Sequence, residues 1–140
     1  MGSIPIHYVD VRAFCFATED DARVESALRT LLPEDQVLTR ETSQGHHGDR
    51  IVVLSARIEN ADGIRATVDR IRGIDEIDRV RAELDRRVDD DCALFIRFDK
   101  QAAFQGRVRL GEGILVRVKI EAYPARREAA IDNARAVLTG

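Results

Sequence analysis

The chain has 140 residues, of which 44% are hydrophobic and 34% are charged, and its formal net charge at pH 7 is −3. This composition is typical of one globular domain spanning residues 1–140, and it excludes a disordered chain or a small domain that depends on disulfides. Every apolar run is shorter than the roughly 18 residues of a membrane span, and there is no signal peptide, so we expect a cytoplasmic protein without membrane contact.

The first half of the chain predicts one strand, a helix, two strands and further helix. In order, these are a strand over 6–17, a helix over 19–32, strands over 36–43 and 50–59, and helices over 61–72 and 74–88. Thr18 and Asn60 are the predicted N-caps of the first two helices. Strict alternation in the first strand puts Val9 and Val11 on one face, with Phe14 on the other.

The second half predicts three strands and a final helix. A strand over 92–99 is followed by a polar turn, a hairpin over 107–121 and a helix over 126–138. If the apolar residues of the hairpin share a buried face, Val108 and Leu110 lie under helices and Arg107 lies opposite Arg117. Like charges in that position repel, and a bound polyanion would relieve the repulsion.

Together, these elements predict an α+β fold. Runs of strands separated by single helices favour two layers, a mostly antiparallel sheet of about six strands with helices packed on one face. Cys15 and Cys92 fall on the apolar side of their strands, so we expect buried thiols rather than a disulfide.

Basic residues are concentrated in one part of this acidic chain. Residues 92–120 contain six basic and two acidic side chains, including both lysines, whereas the remainder contains 16 basic and 23 acidic ones. A basic patch on an acidic body is the charge pattern of a protein that binds nucleic acid.

The uncovered sheet face would combine this patch with aromatic rings. The predicted members of that face are Tyr8, Arg12, Phe14, Phe95, Arg97, Arg107, Arg109, Arg117 and Lys119. Single-stranded RNA is recognised by such surfaces, since bases stack on rings and guanidinium planes while phosphates meet the charges. The alternative is a protein–protein or dimerisation module, in which the rings pack against a loop or a second subunit and the arginines are solvated.

The candidate catalytic or metal site in the sequence would be built around two histidines in a predicted turn. His46 and His47 with Asp49, or with Asp99 and Lys100, could be drawn as a metal or acid/base site, but adjacent side chains in such a turn point in opposite directions. The sequence has no zinc-like spacing, nucleophilic triad, phosphate loop or dinucleotide fingerprint. We therefore expect no catalysis, metal or cofactor. The functional role that stays open for His46 or His47 is stacking of the ring on a base.

Three motifs resemble a known family. Ala17-Thr18-Glu19-Asp20, Gly45-His46-His47-Gly48, and the run from Arg97 to Ala103 with Gly106 occur in the order and spacing of archaeal RNA-binding proteins described as predicted exosome subunits. The resemblance covers nearly the whole chain, although Phe16 stands where many relatives have histidine. It implies a fold like that of ribosomal protein L5, RNA binding, and a link to RNA processing or degradation with exosome or ribosome-related partners.

The candidate RNA contacts combine the basic face with these motifs. They are Arg97, Asp99, Lys100, Gln101, Arg107, Arg109, Arg117, Lys119, His46 and His47. For Asp99 two further roles stay open: its carboxylate accepts hydrogen bonds from nearby backbone N–H groups, or it holds Lys100 or Arg97 in place.

Overall fold

The computed structural model describes residues 4–44 and 48–140. Within these residues, the chain forms five strands and six helices. They are β1 (Ile6–Cys15), α1 (Asp21–Arg29), β2 (Thr39–Gln44), β3 (Arg50–Ile58), α2 (Ala61–Arg72), α3 (Ile77–Ala82), α4 (Leu84–Arg87), β4 (Ala93–Asp99), α5 (Lys100–Phe104), β5 (Gly113–Ile120) and α6 (Arg127–Thr139). No helix in these two ranges is both long enough and apolar enough to cross a membrane.

The strands form one antiparallel sheet in the order β2-β3-β1-β5-β4. The α+β class is therefore confirmed, but the prediction of about six strands is wrong for the described residues, which form five. The strand over 92–99 is an edge strand, and β1 lies in the middle of the sheet. From Tyr8 to Cys15, accessible and buried residues alternate along β1, because only one face of the sheet is covered by helices.

The predicted hairpin over 107–121 does not form, because residues 107–111 run along the outer edge of β4. The backbone N–H of Asp99 donates to the carbonyl of Arg109 at 2.8 Å, and that of Gly111 donates to the carbonyl of Arg97 at 3.2 Å. Arg117 consequently pairs with Phe95 of β4 and with Asp10 of β1, not with Arg107. The predicted repulsion between Arg107 and Arg117 is therefore wrong.

The burial predicted for this segment is correct in β5 and wrong before it. Val116, Val118 and Ile120 are buried. Val108 and Leu110 are only partly buried, because they pack against the core from beyond the edge of β4. The predicted polar turn after β4 begins instead with the short helix α5.

The helices pack on one face of the sheet and bury its apolar side chains in a single core. The sheet contributes alternate residues such as Val9, Val11 and Val116, and α2 contributes Ile64, Val68 and Ile71, as its spacing predicts. Asn60 caps α2 as predicted, whereas α1 is capped by Asp20 and not by Thr18. Cys15 and Cys92 are buried free thiols, which confirms their predicted state.

Candidate nucleic-acid interface

The other face of the sheet, which we call the open face, carries rings and cations from four strands. Its accessible side chains include Tyr8, Arg12, Phe14, Arg57, Phe95, Arg97, Arg117 and Lys119. They are exposed or half-buried because their neighbours along each strand point into the core. The strands thus bring together residues that are more than a hundred positions apart in the chain.

The middle of the open face is an ordered cluster around Asp10. Its carboxylate accepts two hydrogen bonds from Arg57, at 2.8 and 3.0 Å, and the Arg57 guanidinium lies 4.0 Å from the centre of the Tyr8 ring. Arg117 donates to the Tyr8 hydroxyl at 2.8 Å and lies 5.9 Å from the Phe95 ring. Its hydrogen bond to Tyr8 raises the pKa of Arg117, so the guanidinium stays charged in this half-buried position.

A shallow depression of about 400 Å³ lies above this cluster, between β3 and β4. Its lining includes Arg12, Arg57, Phe95 and Arg117. The rings and guanidinium planes are oriented by one another, so a ligand would meet a preformed surface. A flat, π-faced group such as a nucleobase fits these features better than a compact ion.

A second aromatic platform lies where β1 ends. Phe14 and Phe16 are 42% and 49% exposed, and their rings stack with centres 6.4 Å apart. The Arg12 guanidinium lies 5.6 Å from the Phe14 ring. Exposed phenylalanines in contact with arginine are typical of base-stacking surfaces.

The predicted RNA contact Lys100 lies inside the fold and not on the open face. The residue is only 7% exposed, and its Nζ donates to Glu19 Oε1 at 2.8 Å and to the carbonyl of Phe14 at 3.0 Å. Burial raises the pKa of Glu19, but hydrogen bonds from Lys100 and from the Phe16 backbone outweigh it, so the pKa lies below its ordinary value. Lys100 therefore fixes the strand end that presents both phenylalanines.

The neighbouring candidates Asp99 and Gln101 belong to the start of α5. Asp99 Oδ1 accepts from the backbone N–H of Gln101 at 2.8 Å and of Ala102 at 3.2 Å, which confirms the first alternative role predicted for this carboxylate. The Gln101 side chain is exposed beside this cap.

The remaining predicted contacts do not form one patch. Arg97, Arg117 and Lys119 lie on the open face, and Lys119 donates to the carbonyl of Asp91. Arg107 and Arg109 instead line a separate depression with residues 73–76, beyond the edge of β4. The turn that contains His46 and His47 lies outside the described residues.

Sequence reasoning missed an arginine cluster on α3 and α4. Arg79 and Arg87 lie 3.3 and 2.8 Å from the Glu83 carboxylate, and Arg86 also pairs with it. Their spacing of three and four residues around Glu83 places them on one side of the helical segment, a signal that the sequence contained. The cluster lies next to Phe95.

The described residues contain no cluster of three or more His, Cys, Asp or Glu side chains that could hold a metal. Cys15 donates its thiol proton to Asp21 at 3.0 Å. Burial, and then this hydrogen bond, raise the pKa of Cys15 to about 11, so the thiol is protonated at neutral pH and is a weak nucleophile.

Comparison with known proteins places the chain among RNA-binding proteins. A family model described as RNA binding matches residues 8–122. RNA-binding protein PAB1135 of Pyrococcus abyssi is 35% identical over 99% of this chain and 97% of its own. Two solved structures have the same fold. One is Mth689, a DUF54 protein from Methanothermobacter thermautotrophicus (TM-score 0.81, 35% identity, 95% of this chain and 98% of that one). The other is protein AF2318 from Archaeglobus fulgidus (TM-score 0.85, 29% identity, 94% of this chain and 99% of that one). The chain therefore belongs to this archaeal RNA-binding family.

Proposed function

We propose that this protein is a non-catalytic RNA-binding protein that holds single-stranded RNA across the open face of its sheet. The observation that carries the proposal is the exposure of Phe14 and Phe16 beside Arg12, next to the ordered cluster of Tyr8 and Arg117. Rings supply stacking surfaces for bases, and the arginines supply charge for phosphates.

Hydrogen bonding within the cluster favours stacking over simple charge attraction. Asp10 neutralises part of the positive charge, but it also holds the Arg57 guanidinium over the Tyr8 ring, 4.0 Å from its centre. Planar, oriented guanidinium groups keep bidentate hydrogen bonds and stacking at salt concentrations that screen point charges.

The cellular role proposed here follows from the family resemblance. RNA-binding proteins of this type suggest a link to RNA processing or degradation, with exosome or ribosome-related proteins as partners and a relationship of fold to ribosomal protein L5. The buried thiols of Cys15 and Cys92 fit a reducing cytoplasm.

The test compares two exposed rings at different ends of the sheet. Phe14→Ala removes a platform ring, while Tyr123→Ala removes a ring that is 82% exposed beyond the end of β5. Stacking of one base contributes about 1–3 kcal/mol, so Phe14→Ala should weaken binding of a single-stranded oligouridylate by about 5- to 150-fold, with Tyr123→Ala near the parent. Fluorescence anisotropy at fixed salt measures both.

Equal affinities for the two variants would remove stacking on the open face from the proposal. Absence of any salt-dependent RNA binding by the parent would overturn RNA binding itself. A stable protein complex that withstands nuclease would then favour the interaction-module alternative.

A further inference from the structure

The arginine cluster of α3 and α4 borders a groove of about 430 Å³, to which no role has been assigned above. The groove runs between α4 and the outer edge of β4, and its lining includes Arg79, Arg86, Arg87, Phe95, Arg97 and Glu112. Its charged side chains come from helix, strand and loop, so the fold and not one helix assembles it.

The groove has an excess of positive charge. In the described part of the chain, four arginines around it face three carboxylates. Glu83 lies within the cluster, Glu112 lies 3.5 Å from Arg97, and Glu76 accepts from the backbone N–H of Leu110 at 3.2 Å. Hydrogen bonding from Arg87 outweighs burial and lowers the pKa of Glu83, so this carboxylate is already ionised at neutral pH and its charge is included in the balance. The groove therefore has one more positive than negative charge for an anionic ligand.

One arginine is built into the wall, and two reach the solvent. The Arg87 side chain is 18% exposed and donates to Glu83 at 2.8 Å and to the carbonyl of Phe95 at 3.4 Å. Arg79 and Arg86 are 65% and 75% exposed and share the Glu83 carboxylate with Arg87. Their guanidinium groups therefore keep donors for a ligand while one end of each is anchored.

The groove continues the open face around the sheet edge. Phe95 lines both this groove and the depression above the Asp10 cluster, and Arg97 lines both the groove and the surface beside Phe14. An added peptide strand does not fit here, because the Asp99 N–H and the Arg97 carbonyl on this edge are already bonded to residues 109 and 111. The ligand must therefore be recognised through side chains.

We infer that Arg79 and Arg86 bind phosphate groups of the RNA strand that crosses the open face, so that the interface extends around β4 onto α3 and α4. The inference rests on the proposed function, and it assigns the groove to phosphate, whether an internal phosphodiester or a terminal phosphate. Phe95 separates the stacking surface from the phosphate-binding groove.

The test uses neutral substitutions at exposed positions. Arg86→Gln and the double variant Arg79→Gln/Arg86→Gln remove proposed contacts, and Arg135→Gln makes the same charge change on the exposed side of α6. Each phosphate contact on a single strand contributes about 0.7 to the slope of log K against log salt, which is roughly a fivefold change in affinity per tenfold change in salt. The slope should decrease by about 0.7 in the single variant and about 1.4 in the double variant.

Oligouridylates with and without a 5′-phosphate distinguish the two phosphate sources. A loss restricted to the phosphorylated oligonucleotide assigns the groove to a strand end, and an equal loss on both assigns it to the internal backbone. If the parent binds RNA but the Arg86 variants have the same slope as Arg135→Gln, the groove assignment is wrong and RNA binding by the open face stands. If the parent does not bind, the proposed function itself fails.

Discussion

Replacing Lys100 by methionine should destabilise the fold without removing a contact to RNA. The change keeps the unbranched shape of the side chain but leaves the Glu19 carboxylate and the Phe14 carbonyl without the Nζ donor that they share at 2.8 and 3.0 Å. Arg97, two residues along β4 from Asp99, is the contrasting case, because this basic side chain is exposed on the open face.

The expected loss follows from the burial of the pair. At 2.8 Å and an effective dielectric constant near 20, the gross attraction is about 6 kcal/mol, and desolvation of both ions offsets much of it. Breaking a buried pair typically costs about 3–5 kcal/mol, and the Glu19 side chain is still 20% exposed and also accepts from the Phe16 N–H at 3.1 Å. We therefore expect Lys100→Met to lower the free energy of unfolding by about 3 kcal/mol.

Urea denaturation at neutral pH measures this loss, and a cycle with Glu19→Gln isolates the pair. The coupling energy should be about 2 kcal/mol, and lowering the pH provides a second readout. Because the pKa of Glu19 is depressed below 4.5 in the folded protein, its contribution is present above that value and is lost as the pH falls through the folded pKa. The Lys100→Met protein should lack this acid-side loss. A destabilisation below about 1 kcal/mol, or additive single changes, would refute the structural role of Lys100.

Two further predictions concern Arg117 and Cys15. Arg117→Lys should weaken binding to single-stranded RNA most clearly at high salt, because lysine cannot donate to Tyr8 and also stack beside Phe95. Lys119→Arg should be tolerated. Salt titrations that superimpose for the parent and both variants would contradict a stacking role for Arg117. In a Cys92→Ala variant, Cys15 should react with iodoacetamide roughly 100-fold more slowly at pH 8 than an ordinary thiol, since its pKa is about 11 against a usual 9.0. Mass spectrometry of the folded variant measures this rate, and rapid labelling would contradict the raised pKa.

Local patterns in the sequence predicted most of the elements correctly. Alternation in β1 and the helical spacing of Ile64, Val68 and Ile71 both reflect burial on one side, so periodicity alone identified the core. Asn60 was recognisable as a cap because it directly precedes a helical pattern, and both Asp20 and Thr18 satisfied the same rule for α1.

Non-local pairing could not be predicted in the same way. Val108 and Leu110 have the alternation of a strand, but the segment forms only an isolated bridge to β4, and backbone hydrogen bonds of Asp99 and Gly111 hold it there. No sequence pattern distinguishes a strand from a segment that follows a sheet edge. As a result, Arg107 and Arg109 were predicted to lie on the basic face, whereas they line a separate surface, and the groove lined by Arg79 and Arg86 was not predicted.

The two described motifs that carry the family resemblance meet in the structure, and their meeting separates scaffold from interface. Glu19 from the first motif pairs with Lys100 from the last, and an ideal Cβ on Gly113 would lie 2.5 Å from the Lys100 Cβ, so the chain is tightly packed around this pair. The Lys100 ammonium also holds the Phe14 carbonyl and lies 5.3 Å from the Phe16 ring. The Glu19–Lys100 pair thus acts on the rings through the backbone that bears them. A motif of an RNA-binding family can therefore contain a lysine that is buried and bonded within the fold.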